Sequence, residues 1–161
     1  MSTVDLSDRF VFDDPKYLQL AVDNAERYAK GNPFPHIHLD NFLPPDVAEA
    51  VLAEFPKPAD IDWHNYNRQT EIKLVCADET QFGPVTRQLF YQFHSIPFLQ
   101  FLEKLTGIDN LIPDPLLRGG GLHQIRRGGL LKLHADFNKH DSTFLDRRIN
   151  VLLYLNKDWK E

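Results

Sequence analysis

The sequence predicts an α+β fold, helices first and an antiparallel sheet afterwards. Three observations carry that prediction. Helix-type apolar spacing, opened by Asp and Pro, recurs through the first 115 residues. Five of the eight glycines then fall between positions 119 and 129. Beyond them apolar residues alternate with a mixed polar set, which is the two-residue period of a strand. Helices followed by strands favour segregated layers, with helices packed on one face of a sheet. A length of 161 residues suits a single domain. Residues 1–115 read as a helical and mixed lead-in, and 116–161 as the first strands of the sheet core.

"DDPKYLQLAVDNAERYAKG" predicts the first helix. Asp13 or Asp14 caps it, Pro15 takes the first position and Gly31 stops it, while Leu18, Val22, Ala25 and Tyr28/Ala29 form one apolar stripe. "PHIHLDNFL" predicts a short strand. A helix then opens at Pro44-Pro45, with Val47, Val51 and Phe55 inward. "WHNYN" and "EIKLVCA" predict two strands. From Pro84 a helix carries Val85, Leu89 and Phe93; Pro97 interrupts the pattern, and a second piece with Phe98, Phe101, Leu102 and Leu105 ends at Gly107.

Composition excludes several classes. The single Cys76 rules out an internal disulfide and a cysteine-based zinc site, reads as a small core residue, and fits a reducing, cytoplasmic setting. "MSTVDLSDRFVFDDP" has neither the basic start nor the apolar run of a signal peptide, and no segment reaches membrane-spanning length. A net charge of −5 argues against a general nucleic-acid binder. The charge is uneven: residues 1–115 carry −9 and residues 116–161 carry +4. A basic C-terminal part suits an anionic small ligand, although solvated loops and strand edges account for the charge equally well.

The chemistry concentrates in "LLKLHADFNKHD", residues 130–141. With 7 His and 16 Asp in the chain, chance yields about 0.7 His-x-Asp matches, so the tripeptide alone has little value. Two copies occur, His38-Leu39-Asp40 and His134-Ala135-Asp136. Strand parity favours the second. Over 130–137 the odd positions Leu131, Leu133, Ala135 and Phe137 are all apolar, which would put His134 and Asp136 together on the other face. "RRINVLLYLN" repeats the design, with Ile149, Val151, Leu153 and Leu155 on one side and Arg148, Asn150, Leu152, Tyr154 and Asn156 on the other. The bland reading of both strands is an antiparallel sheet with one solvated face. The sharper one is a polar cavity in which His134 and Asp136 supply two ligands of a 2-His-1-carboxylate facial triad, a set suited to ferrous iron. Spacing alone does not separate iron from zinc.

"GGGLHQIRRGGLLKLHADFN" followed by "RRINVLLYLNKDW" resembles the start of the catalytic jelly roll in prolyl-4-hydroxylase-type 2-oxoglutarate/Fe(II) oxygenases, and "PFPHIHLDNFLPPDVAEAVLAEFP" resembles the lead-in segment of that group. The resemblance runs from about residue 33 to the end and is strongest over 119–159. It implies an antiparallel double-stranded β-helix with N-terminal helices packed on it. It implies a dioxygenase using Fe2+, 2-oxoglutarate and O2, with ascorbate as a candidate reductant. The co-substrate would be decarboxylated to succinate and CO2 while a protein, peptide or small-molecule substrate is hydroxylated. His134 and Asp136 match the first two iron ligands; Tyr154 matches a tyrosine that donates to the distal carboxylate of 2-oxoglutarate, and Asn150 and Leu152 match positions lining that pocket.

One departure matters. The family's second iron-binding His, with a following Arg or Lys that pairs with 2-oxoglutarate, lies well downstream on a later strand. Only 25 residues follow Asp136 here, and their sole His, His140, sits too close, in a loop-like "NKHDST". The expectation is a truncated jelly roll, doubtful in turnover, whose open strand edges favour self-association. A non-catalytic jelly-roll binding or assembly module is the rival class. A third option, a metal-dependent hydrolase, rests on His36-x-His38-x-Asp40, which resembles the first strand of amidohydrolase barrels. That fold needs a much longer chain.

The remaining candidates have ordinary readings. The 119–129 glycines match neither a phosphate-binding loop nor a dinucleotide fingerprint and suit tight turns. His123 and Gln124 lie near the expected cavity mouth. Arg126, Arg127, Arg147 and Arg148 could guide an anionic co-substrate, with solvated arginine as the default.

Overall fold

The computed structural model describes residues 4–157, and within them the fold is α+β: four α-helices and a four-stranded antiparallel sheet. Asp158 and Trp159 of the "NKDW" motif, and the first three residues, lie outside the described residues. The chain divides into two compact units, one of residues 1–55 and 83–115, the other of residues 56–82 and 116–161.

The first unit is helical. Helix α1 spans Lys16–Ala29, α2 Pro45–Glu54, α3 Pro84–Phe93 and α4 Ile96–Thr106. Prolines in the first turn of α2, α3 and α4 start these helices where a missing N–H costs nothing. Asp14 begins α1 by accepting the Lys16 N–H through Oδ1 at 3.0 Å. Gly107, at φ 70°, ends α4 in the left-handed conformation and donates its N–H to the Glu103 carbonyl at 2.8 Å. The core is aromatic: Phe12 meets Tyr17, Phe93 and Phe98 at ring separations of 5.1, 5.4 and 4.7 Å. Gln92 ties the N-terminal segment to α3, accepting from Val11 N at 2.7 Å and donating to Arg9 O at 2.8 Å.

Two expectations fail in this unit. The buried stripe of α1 runs through Tyr17 and Ala21, leaving Leu18 and Val22 45% and 49% exposed. Tyr17 wins because its ring joins Phe12, Phe42 and Phe101 while its hydroxyl donates to Phe42 O at 3.0 Å, so the largest side chain is buried with its polar atom satisfied. Burial pushes the Tyr17 phenol up to about 12, with Asp14 adding to the shift and Arg9 opposing it. The strand expected in "PHIHLDNFL" does not form. Side chains of α1 take its carbonyls instead, Arg27 at His38 O (3.1 Å) and Tyr17 at Phe42 O, so the segment lies against a helix rather than a ladder.

Glu54, at the end of α2, caps α3 from outside the helix. Its carboxylate accepts from Val85 N (3.1 Å), Thr86 N (2.9 Å) and Thr86 Oγ1 (3.0 Å), where the positive end of the helix dipole favours an anion. Glu54→Ala is expected to lower stability by about 1–2 kcal/mol. Glu54→Gln, keeping the shape without the charge, should lose less; equilibrium denaturation of the two variants checks the order.

The second unit holds the sheet. Strand β1 (His64–Asn67) and β2 (Glu71–Cys76) form a hairpin with His64 opposite Val75 and Asn67 opposite Ile72, matching the two strands expected there. β3 (Leu122–Gln124) and β4 (Leu130–Leu131) both run antiparallel to β2 on its other side. Cys76 is buried at 3% exposure. The strands expected over 130–137 and across "RRINVLLYLN" are not present as such. β4 stops after Leu131 because β2 has no more backbone to offer: Lys132 N reaches Thr70 O at 2.9 Å, and there the chain turns, with Arg68 and Glu71 bonded to each other. Residues 148–156 join no ladder among the described residues. Both parities of the expected faces are open, Leu133 at 103%, Val151 at 47% and Leu152 at 64% exposure.

Candidate metal-binding pair

His134 and Asp136 meet although no strand carries them. The His134 ring folds back so that Nδ1 lies 2.8 Å from the Lys132 carbonyl. A carbonyl only accepts, so Nδ1 carries a proton, and Nε2 is the nitrogen that the neutral ring would offer to a metal. That nitrogen faces Asp136 Oδ1 at 3.7 Å.

The far side of the Asp136 carboxylate is held by the segment that follows. Between Asn138 and Arg147 the chain makes a small antiparallel loop: Lys139 bridges Asp146, Arg147 N donates to Asn138 O at 2.8 Å, and His140 N donates to Leu145 O at 2.9 Å. Inside it His140, 7% exposed, accepts the backbone N–H groups of Ser142 and Thr143 at Nδ1, both at 3.1 Å, so this histidine braces the loop. The loop returns Arg147 to Asp136 Oδ2 at 3.2 Å, with its guanidinium 4.6 Å above the Phe137 ring, and Asn150 Nδ2 donates to the same oxygen at 3.4 Å. Both donors thus have their remote atoms tied, Nδ1 by a carbonyl and Oδ2 by Arg147 and Asn150. Outer-sphere partners of this kind orient a metal ligand and fix its tautomer.

The separation is informative. With bonds of ~2.1 Å, donors at 90° stand ~3.0 Å apart and donors at a tetrahedral angle ~3.4 Å. The observed 3.7 Å is wider than either, so closing on one ion needs a few tenths of an ångström of movement. The side chains are 48% and 43% exposed and have room for it. The donor set therefore fits two positions of a divalent site. Among the described residues no group of three or more His, Cys, Asp or Glu could hold a metal ion.

The other expected residues fall differently. Asn150 reaches the pair, but as a support for Asp136. Tyr154 and Leu152 stand 80% and 64% exposed. His36, His38 and Asp40 are all exposed and share no strand. His123 on β3 lies within electrostatic reach of Asp136; desolvation, then Lys73, pull its imidazole below the usual value, against the Gly120 carbonyl and Asp136, which pull it up. Its Nε2 lies 3.3 Å from that carbonyl.

Arg147 was the residue strand parity would have missed. In an alternating strand its odd number places it with Ile149 and Val151, on the aliphatic side. Its contact with Asp136 exists because the loop before it closes on His140, a tertiary event with no periodic signature. No family model, curated protein or solved structure matches the chain.

Proposed function

We propose that His134 and Asp136 are two protein ligands of a divalent metal centre of the iron- and 2-oxoglutarate-dependent dioxygenase type, in a jelly-roll core to which the antiparallel sheet belongs. The observation that supports the reading is the paired orientation: His134 Nε2 and Asp136 Oδ1 face each other at 3.7 Å, each with its remote atom held. When bound, ferrous iron would activate O2, the oxidant, with 2-oxoglutarate supplying two of the four electrons and the hydroxylated C–H bond the other two. This chain's own contribution is positional. Lys132 O sets the His134 tautomer; Arg147 and Asn150 aim Asp136 and leave Oδ1 free. Arg147, 17% exposed, and Asn150 also bring donors next to the site, where an anionic co-substrate would be held. Tyr154 and Leu152 would complete that pocket on folding of 148–156 into a strand. A substrate with a hydroxylatable C–H bond follows from the class, in a protein, a peptide or a small molecule.

Manganese binding, followed by electron paramagnetic resonance on the full chain, tests the reading without requiring turnover. Weak one-to-one binding is expected, and His134→Ala should weaken it by about 100-fold or more. His36→Ala should leave it unchanged; the reverse pattern would move the site to His36 and His38. A second reading, a non-catalytic binding or assembly module, is favoured by the open apolar residues Leu133, Phe144 and Val151. It prevails if the chain binds neither manganese nor 2-oxoglutarate.

A further inference from the structure

The arginine pair at 126–127 has no part in the metal-binding pair, and the sheet register shows why the chain makes room for it. β3 pairs with β2 as Cys76 opposite Leu122, Val75 opposite His123 and Leu74 opposite Gln124. Continued without a break, Ile72 would face position 126; it faces Leu130 instead, and Glu71 faces Leu131. Four residues are therefore looped out of what would otherwise be one strand. The excursion closes as a tight turn, Gly129 N donating to Arg126 O at 2.7 Å with Gly128 at φ 82°. A side chain at Gly129 would meet the Arg126 and Ile72 carbonyls at 2.8 Å, so the turn sits against β2 with no space to spare. Extra residues in a strand that re-aim side chains are a common device next to binding sites.

Beneath this turn is a cavity of about 490 Å³. Cross-strand register puts Asn65, Asn67, Ile72, Leu74 and Gln124 on the sheet face that lines it. Ile72 and Leu74 form an apolar floor, and Arg126 and Arg127 line the wall. No carboxylate is among the lining residues. Gln124 adds a buried side-chain amide whose Oε1 has no hydrogen-bond partner, a polar group left unsatisfied at this face. The charged groups that line it are all cations, Lys73, Arg126 and Arg127, and the other polar groups are side-chain amides. His123, the neighbour that feels Asp136, is one residue away in the strand and points to the opposite face.

We propose that this cavity is an oxyanion-binding site, taking the phosphate or carboxylate group of a small organic ligand between the Arg126–Arg127 turn and the amide side chains of Asn65, Asn67 and Gln124. Guanidinium groups match both anions bidentately, and the apolar floor accommodates the carbon part of the ligand. The site is independent of the metal reading, and its test is run without divalent metal.

Inorganic phosphate and sodium acetate are titrated separately into the full chain at constant ionic strength, following the backbone amides of Gly128 and Gly129 and the Gln124 side-chain amide by NMR. Saturable binding below about 10 mM is expected for at least one of them. Tighter phosphate binding assigns a phosphoryl ligand and tighter acetate binding a carboxylate. Arg127→Gln should weaken binding about tenfold, Gln124→Met about threefold, and Lys104→Gln, which removes a positive charge in the helical unit, not at all. The proposal is overturned if neither anion saturates, or if Lys104→Gln weakens binding as much as Arg127→Gln, which would mean that only net charge is being read.

Discussion

Phe12→Ala is expected to destabilise the protein by about 4 kcal/mol, the largest loss of any single substitution considered. Phe12 is 4% exposed and its ring touches Tyr17, Phe93 and Phe98, with Phe42 at 6.0 Å. Truncation leaves a void bordered by rings, which are stiff and do not relax inward. The residue also belongs to a short 3-10 turn, Val11–Asp13, whose Val11 N–H is held by the buried Gln92. Loss of the ring therefore loosens the contact between the N-terminal segment and α3. Equilibrium urea unfolding is the measurement; a loss below about 1.5 kcal/mol would show that the aromatic cluster repacks, and Phe12→Leu should recover about half of the deficit.

Gly121→Ala is expected to cost about 3 kcal/mol, through backbone rather than core. Gly121 has φ 96°, a region L-residues rarely enter, and an added Cβ would lie 2.2 Å from the Cys76 carbonyl oxygen and 2.9 Å from Ala77 Cα. Neither neighbour is a side-chain tip that could swing away. The strain falls where β3 begins, since Leu122 pairs with Cys76. Relief requires β3 to move off β2, taking His123 and Gln124 with it. Amide exchange separates this from a general loss of stability: Leu122, His123 and Gln124 should exchange faster in the variant than the helical amides do. Uniform acceleration across both units would contradict the local account.

How much was legible in the sequence differs between elements, and the reason is where each element's hydrogen bonds go. A helix satisfies its own backbone, so α2, α3 and α4 follow from Pro starts, apolar spacing and Gly107, and the structure has them near those bounds. The β1–β2 hairpin was legible because its two strands are adjacent in sequence and pair with each other. The expected strands over 35–43 and 147–156 had good alternation and lacked a neighbour, and the one over 130–137 runs out of neighbour after Leu131. Alternation describes what a strand would bury; it does not supply the chain beside it. Within α1 the buried stripe lies one residue from its expected place, because Leu18 and Val22 share a face as readily as Tyr17 and Ala21, and only the aromatic cluster decides between them.

The same division holds at the candidate site. The sequence by itself determined an α+β chain and a basic C-terminal part with the Arg126-Arg127 pair among glycines, and it singled out His134-Ala135-Asp136 over His38-Leu39-Asp40 as the candidate pair. Local chemistry is enough for such things, since residue type, spacing and charge are properties of neighbours along the chain. Only the tertiary structure decided that His134 Nε2 and Asp136 Oδ1 face each other without a strand beneath them, that Arg147 rather than Arg148 holds the carboxylate, and that the Arg126–Gly129 turn is a four-residue excursion over a cavity. Each of these depends on which backbone lies alongside which. That is settled by where β2 ends and where the 138–147 loop closes, and neither leaves a periodic mark in the sequence.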